Sequence, residues 1–139
     1  MKQVTFEVPG QPRGKGRPRF TRSGHAYTDA KTREYEKHIA WCYTEQCGDY
    51  EFLGSSCLRV AVTAYMPIPK SASKKKRQAM LDGDIMPAVK PDIDNVLKIV
   101  LDGLQGVSFK DDKSVVESKI IKKYGSEPKI EVLIQEVLP

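Results

Sequence analysis

The chain has 139 residues, 40% hydrophobic and 29% charged, with a formal net charge of +5 and a pI near 9.1. That length predicts a single domain over 1–139 that buries a core without disulfide or metal staples. The N-terminus is too polar for a signal peptide and no apolar run reaches a membrane span, so a cytoplasmic protein with no membrane contact is expected.

The odd set Cys42, Cys47 and Cys57 lacks CxxC spacing and reads as reduced thiols, and His25 and His38 form no zinc-ligand pair with them. The basic balance favours an acidic partner such as nucleic acid.

In chain order, Val4, Phe6 and Val8 alternate with polar residues, which predicts a strand over 2–8, ended by Pro9 and Gly10. The following QPRGKGRPRFTRSGHAYTDAKTR is rich in Gly, Pro and Arg and reads as a long loop. Thr28 or Asp29 is suited to cap a helix over 30–46, whose apolar face is expected to carry Tyr35, His38, Ile39, Trp41 and Cys42. Leu58, Val60, Val62 and Ala64 mark a strand over 57–66, stopped by Pro67 and Pro69. SASKKKRQAMLDG reads as a short basic helix behind a Ser cap, and IMPAVKP as a loop. Asp92 or Asp94 then opens a helix to Leu104, closed around Gly103 and Gly106, with Val107 and Phe109 briefly extended after it. Residues 114–123 and 128–137 read as two strands joined as a hairpin through Tyr124-Gly125-Ser126. The sum is an α+β fold, a small mixed or antiparallel sheet with helices packed on one side.

Asp92, Asp94, Asp102, Asp111 and Asp112 all lie in the run DIDNVLKIVLDGLQGVSFKDD. In the helix, Val96, Val100 and Leu104 make an apolar face with Leu97 and Leu101 beside it, while Asp94, Lys98 and Asp102 share another stripe, with Asn95 next to it. Converging carboxylates repel unless a cation joins them. Mg²⁺ takes one or two carboxylates together with waters and phosphate oxygens. Lys98, one turn beyond Asp94, is suited to stabilise a phosphate under attack. The same residues also suit ordinary roles: an Asp cap, a DD turn, a solvated Asp–Lys pair.

Two basic clusters complete the pattern. Arg13, Lys15, Arg17, Arg19 and Arg22 fall in the glycine-containing segment with Phe20 and Tyr27 interleaved, and Lys70, Lys74, Lys75, Lys76 and Arg77 form the second cluster. Both suit a phosphate backbone, although a charge run also serves as solvated surface. Gly14 and Gly16 permit close backbone approach. Tyr35 and Trp41 are expected to pack.

KPDIDNVLKIVLDGLQG followed by KDDKSVV is similar to the signature of RusA-type Holliday junction resolvases, and PRGKGRPRF resembles the phosphate-facing loop of many members, often prophage-encoded. The resemblance implies a homodimeric, Mg²⁺-dependent endonuclease, with Mn²⁺ as the alternative ion, that nicks opposed strands of a four-way DNA junction. By position it implies Asp92, Asp94 and Asp112 as catalytic metal-binding acids, Lys98 as the essential lysine and Asn95 as the signature Asn. Asp111 is a further candidate ligand, and Asp102 a residue that orients Lys98. Arg13, Lys15, Arg17, Arg19, Lys74, Lys75, Lys76 and Arg77 remain the expected DNA contacts. Two alternatives stay open: a nuclease for forks or flaps, and a non-catalytic nucleic-acid-binding protein. The last two strands or the strand over 57–66 are candidate dimer surfaces.

Overall fold

Strand β4 (Leu58–Pro67) lies inside the sheet, and its alternation explains why. Leu58, Val60, Val62, Ala64 and Met66 are buried on one face, while Arg59, Ala61, Thr63 and Tyr65 are half-exposed on the other. In this computed structural model, which describes residues 2–137, β4 pairs antiparallel with β6 (Lys129–Glu136) on one side and parallel with β5 (Val115–Gly125) on the other. Strand β1 (Gln3–Pro9) adds antiparallel to β6, which makes the order β1-β6-β4-β5. Phe6 and Val8 of β1 and Ile130, Val132 and Ile134 of β6 join the same buried face.

Two helices cover that face. Helix α1 (Ala30–Cys47) is capped by Asp29, whose carboxylate accepts from Thr32 N at 2.7 Å. Helix α3 (Ile93–Leu104) buries Val96, Ile99, Val100, Gly103 and Leu104. Both helices contribute to the one core cluster. Helix α2 (Lys74–Leu81), capped by Ser73, touches β5 and buries Met80. A two-stranded ribbon, β2 (Arg19–Phe20) and β3 (Ala26–Tyr27), stands apart from the main sheet. The α+β architecture with a mixed sheet agrees with the expectation.

Three details differ from it. Strands β5 and β6 follow one another but are not partners, because β4 lies between them. The path from β4 through α2 and α3 makes a crossover, so β5 returns parallel to β4. The short link after Gly125 then passes the end of β4 instead of forming a hairpin. The expected long loop contains the β2–β3 ribbon. Trp41 is 60% exposed, with its ring stacked on His38 at 6.4 Å between centroids. The buried stripe of α1 is Tyr35, Ile39, Cys42 and Tyr43, which leaves Trp41 outside.

Helix α3 ends at Leu104, within the expected Gly103 to Gly106 region, and Gly103 itself precedes that end. It lies inside the helix at the contact with α1, where an added Cβ would stand 3.0 Å from Ile39 Cβ and 3.1 Å from the Glu36 carbonyl oxygen. The helix backbone cannot yield cheaply there. Gly103→Ala is therefore expected to destabilise by about 1–3 kcal/mol through overpacking, despite the better helix propensity of Ala. Urea denaturation measures it; an unchanged midpoint would show that the two helices separate at no cost.

Candidate active site

The start of α3 determines where its first two acids stand. Asp92 has extended backbone, φ −68° and ψ 150°, and occupies the N-cap, yet its side chain accepts no capping hydrogen bond. Asp29 and Ser73, at the same position of α1 and α2, do accept one. The Asp92 carboxylate is thus left free at a helix end where the dipole favours negative charge. Asp94 follows in the first turn. The chain leading into this turn is held from the sheet: Lys122 Nζ of β5 donates to the carbonyls of Val89 at 2.5 Å and Pro91 at 3.0 Å.

Asp94, Lys98 and Asp102 occupy successive turns of one stripe, about 6 Å apart along the axis. Asp92, Asp94 and Lys98 are exposed, and among the described residues none of them enters an ion pair. Asp102 is different. Its carboxylate lies 2.9 Å from Lys15 Nζ, and Lys15 also reaches Glu36 of α1 at 2.7 Å. Asp102, expected to orient Lys98, has Lys15 as its described ion-pair partner. Lys15, expected among the phosphate contacts, is drawn into this internal triad, with its side chain only 16% exposed.

The paired acids follow in a short 3-10 turn, Asp112–Ser114. Asp111 caps it by accepting from Lys113 N at 2.9 Å, and that hydrogen bond holds its pKa below the ordinary value. Asp112 is raised instead, first by desolvation, then by hydrogen bonding to Asp111 and by the negative charges of Asp111 and Asp102. Asp111 is thus occupied as the cap of the turn, whereas Asp112 faces the negative charges of Asp111 and Asp102.

The basic segment lies against the start of α3 and of α1 because two glycines let it. A Cβ on Gly14 would stand 2.9 Å from Pro91 Cβ and 3.0 Å from Asn95 Cβ, and one on Gly16 would stand 2.7 Å from Thr32 Oγ1. Lys15 N donates to the Asn95 carbonyl at 2.9 Å. The close approach is therefore made to α3 and α1. It leaves a hollow of about 300 Å³ lined by Arg17, Lys90, Asp92 and Asn95 with Gly14, Lys15 and Pro91. A second hollow, of about 350 Å³, has Arg13, Lys31 and Lys90 in its wall. Arg13, Arg17 and Arg19 are exposed. Lys74, Lys75 and Lys76 are exposed on α2, and Arg77 is half-buried, with its guanidinium donating to the Pro69 carbonyl at 3.4 Å. Sequence reasoning missed Glu36, Lys90 and Lys122. Nothing in their local pattern separates them from other surface charges.

Among the described residues, no three acidic, His or Cys side chains form a metal cage by themselves. The donor chemistry nonetheless suits a hard cation: unpaired carboxylates at Asp92 and Asp94, and an Asp112 whose charge is opposed by its neighbours. An ion completed by waters and phosphate oxygens needs only one or two of them.

Two comparisons bear on the site. The sequence model of the family described as Endodeoxyribonuclease RusA matches residues 9–135. A protein of Bacillus subtilis (strain 168) named Uncharacterized protein YqaN is 37% identical over 139 residues, with 96% of each chain covered.

The Lys15 triad makes a testable contribution. Lys15→Met would leave Glu36 and Asp102 facing each other without their cation, at an expected cost of about 1–3 kcal/mol, between the values for exposed and buried pairs. Burial lowers the Lys15 pKa, but its hydrogen bonds to Glu36 and Asp102 and their charges raise it above the ordinary 10.5. The folded value exceeds the unfolded one, so the contribution is complete below 10.5 and is lost as pH rises through the folded value. Denaturation midpoints should separate the two proteins at neutral pH and converge at strongly alkaline pH. Equal midpoints at neutral pH would remove the triad from the stability of the site.

Proposed function

The chain belongs to the RusA family of endodeoxyribonucleases, and from that footing we propose that it is a metal-dependent nuclease that resolves four-way DNA junctions by paired hydrolysis of opposed strands. The observation that carries the reading is the uncapped Asp92 carboxylate at the start of α3, followed by Asp94 and the unpaired Lys98. These are charges the fold does not consume.

In this proposal Asp92, Asp94 and Asp112 hold Mg²⁺, or Mn²⁺ as the alternative, and Asp111 supports Asp112 from its capped turn. When bound, the ion supplies Lewis-acid charge that neutralises phosphate oxygens and makes a water more acidic. Lys98 presents its ammonium to the scissile phosphate, where negative charge grows as the phosphorus is attacked. Asn95 lines the same hollow as Asp92 and offers an amide to the backbone. Arg17 and Lys90 bind phosphates at its rim. Arg13, Arg19 and the α2 cluster of Lys74, Lys75, Lys76 and Arg77 extend the positive surface along the arms. Lys15 acts indirectly, by fixing the basic segment to α3.

A four-way junction has approximate two-fold symmetry, so the proposal includes a homodimer that presents one site to each of two matching strands. The half-exposed sheet face carrying Ala61, Thr63, Glu131 and Leu133 is a candidate surface for it. Sedimentation at several concentrations tests this part separately from cleavage.

The decisive experiment is cleavage of a synthetic four-way junction, with fork, flap and linear duplex alongside, in Mg²⁺ and in EDTA. Paired nicks on opposed strands of the junction are expected only with the ion. Equal cutting of every substrate would replace junction resolution with a broader nuclease. Binding without any metal-dependent cutting would leave a non-catalytic DNA-binding protein. Within the same assay, Asp92→Asn, Asp94→Asn and Asp112→Asn are expected to abolish cutting and retain binding. Lys98→Ala is expected to bind normally and to cut about 10²–10³-fold more slowly in single turnover. A Lys98 variant that cuts at the wild-type rate would remove that residue from the chemistry.

A further inference from the structure

Apart from Arg19, the β2–β3 ribbon has no part in the reading proposed above. Between Arg13 and Tyr27 the chain has five Lys and Arg residues and no carboxylate. The ribbon pairs Arg19 with Tyr27 and Phe20 with Ala26. Opposed residues of an antiparallel pair share a face. Phe20 therefore lies on one face with Ala26 opposite it, and Arg19 and Tyr27 lie on the other. Phe20 is 68% exposed and Tyr27 44%.

The turn that presents Phe20 is well tied. Thr21 N donates to the His25 carbonyl and Gly24 N to the Thr21 carbonyl, both at 2.9 Å, and His25 N donates to Thr21 Oγ1 at 3.1 Å. Gly24, at φ 86°, supplies a backbone conformation that other residues rarely adopt. At its root the segment is attached to the acid-bearing helix by the Lys15 N to Asn95 O bond and by the Gly14 contact. An exposed ring on a closed turn is thus anchored within a few residues of Asp92.

A two-stranded ribbon adds little stability by itself, so the ring is not explained by packing. One exposed hydrophobe is ordinary on a protein surface. One set beside Arg17 and Arg22, which have no described ion pair, and Arg19, 4.0 Å from the Asp29 carboxylate, is more selective about its partner. It needs a group that is flat and apolar, with negative charge immediately beside it. A nucleobase with its flanking phosphates meets both requirements. In continuous duplex the base faces are already stacked, so free faces occur where bases are unpaired. A second copy of this chain would bring the same cations and be repelled.

We propose that the β2–β3 ribbon is a nucleobase-binding element in which Phe20 stacks on an unpaired base of the DNA substrate while Arg17, Arg19 and Arg22 hold the neighbouring phosphates. The inference rests on the reading of the chain as a branched-DNA nuclease, and adds what that nuclease senses near the branch.

The test uses the full chain in Ca²⁺ with three probes: a four-way junction with an unpaired 2-aminopurine at the branch, a single strand carrying 2-aminopurine, and a fully paired linear duplex. Wild type should quench 2-aminopurine in the first two, because stacking quenches its emission. Phe20→Ala should lose this quenching and about five-fold or more in affinity for both, with duplex affinity unchanged. Phe20→Tyr should restore both readouts, and thermal melting should be the same for all three proteins. Equal binding and quenching by wild type and Phe20→Ala would overturn the proposal. So would an equal loss on linear duplex, or a loss that sedimentation traces to dissociation of a dimer. Junction cleavage by wild type in Mg²⁺ is measured alongside. Its absence defeats the nuclease reading, whereas the quenching readout decides the role of Phe20.

Discussion

Lys15 joins three parts of the molecule through one residue. Its backbone N–H is bound to Asn95 at the start of α3, and its ammonium bridges Asp102, further along α3, and Glu36 of α1. What it provides is position: the arginine-rich segment that follows is held beside the acids of α3. Gly14 and Gly16 make the attachment possible, since a side chain at either place would collide with α3 or α1. The hollow bounded by Arg17, Lys90, Asp92 and Asn95 is a consequence of this joint.

The acids divide according to how the fold uses them. Asp29, Asp102 and Asp111 are spent on a helix cap, an ion triad and a turn. Asp92 and Asp94 have no such use, and Asp112 is opposed by the charges of Asp111 and Asp102. Retaining unpaired carboxylates close to other negative charge is unfavourable unless a cation joins them or the group is partly protonated. In the proposed reaction a divalent ion would join Asp92, Asp94 and Asp112, and Lys98 would meet the phosphate.

The sheet determines the angle at which α3 presents its stripe. Ile99, Val100 and Leu104 are fully buried in a core shared with Ile39 of α1 and with β4 and β6, so the apolar face of α3 cannot rotate without opening that core. The opposite stripe, with Asp94 and Lys98, is directed outward as a result. Lys122 on β5 ties the residues before Asp92 to the sheet, which extends the same control to the start of the helix.

Much of this was legible in the sequence because it depends on local rules. Alternation in β1, β4 and β6 and the apolar face of α3 follow from the periods of strand and helix. Ser73 and Asp29 announce their caps by residue type, and the common stripe of Asp94, Lys98 and Asp102 follows from helical spacing. The family resemblance was legible from the same acid-bearing run and agrees with the match over residues 9–135. Tertiary structure alone decided which groups stand opposite each other. The partner of Asp102 is Lys15 and not its helical neighbour Lys98; Trp41 faces outward because α1 turns Tyr35, Ile39 and Cys42 toward the core; and β5 pairs with β4 although it directly precedes β6. Each of these contacts joins residues distant in the chain, and a local period says which side of an element a residue occupies without saying what will be packed against that side.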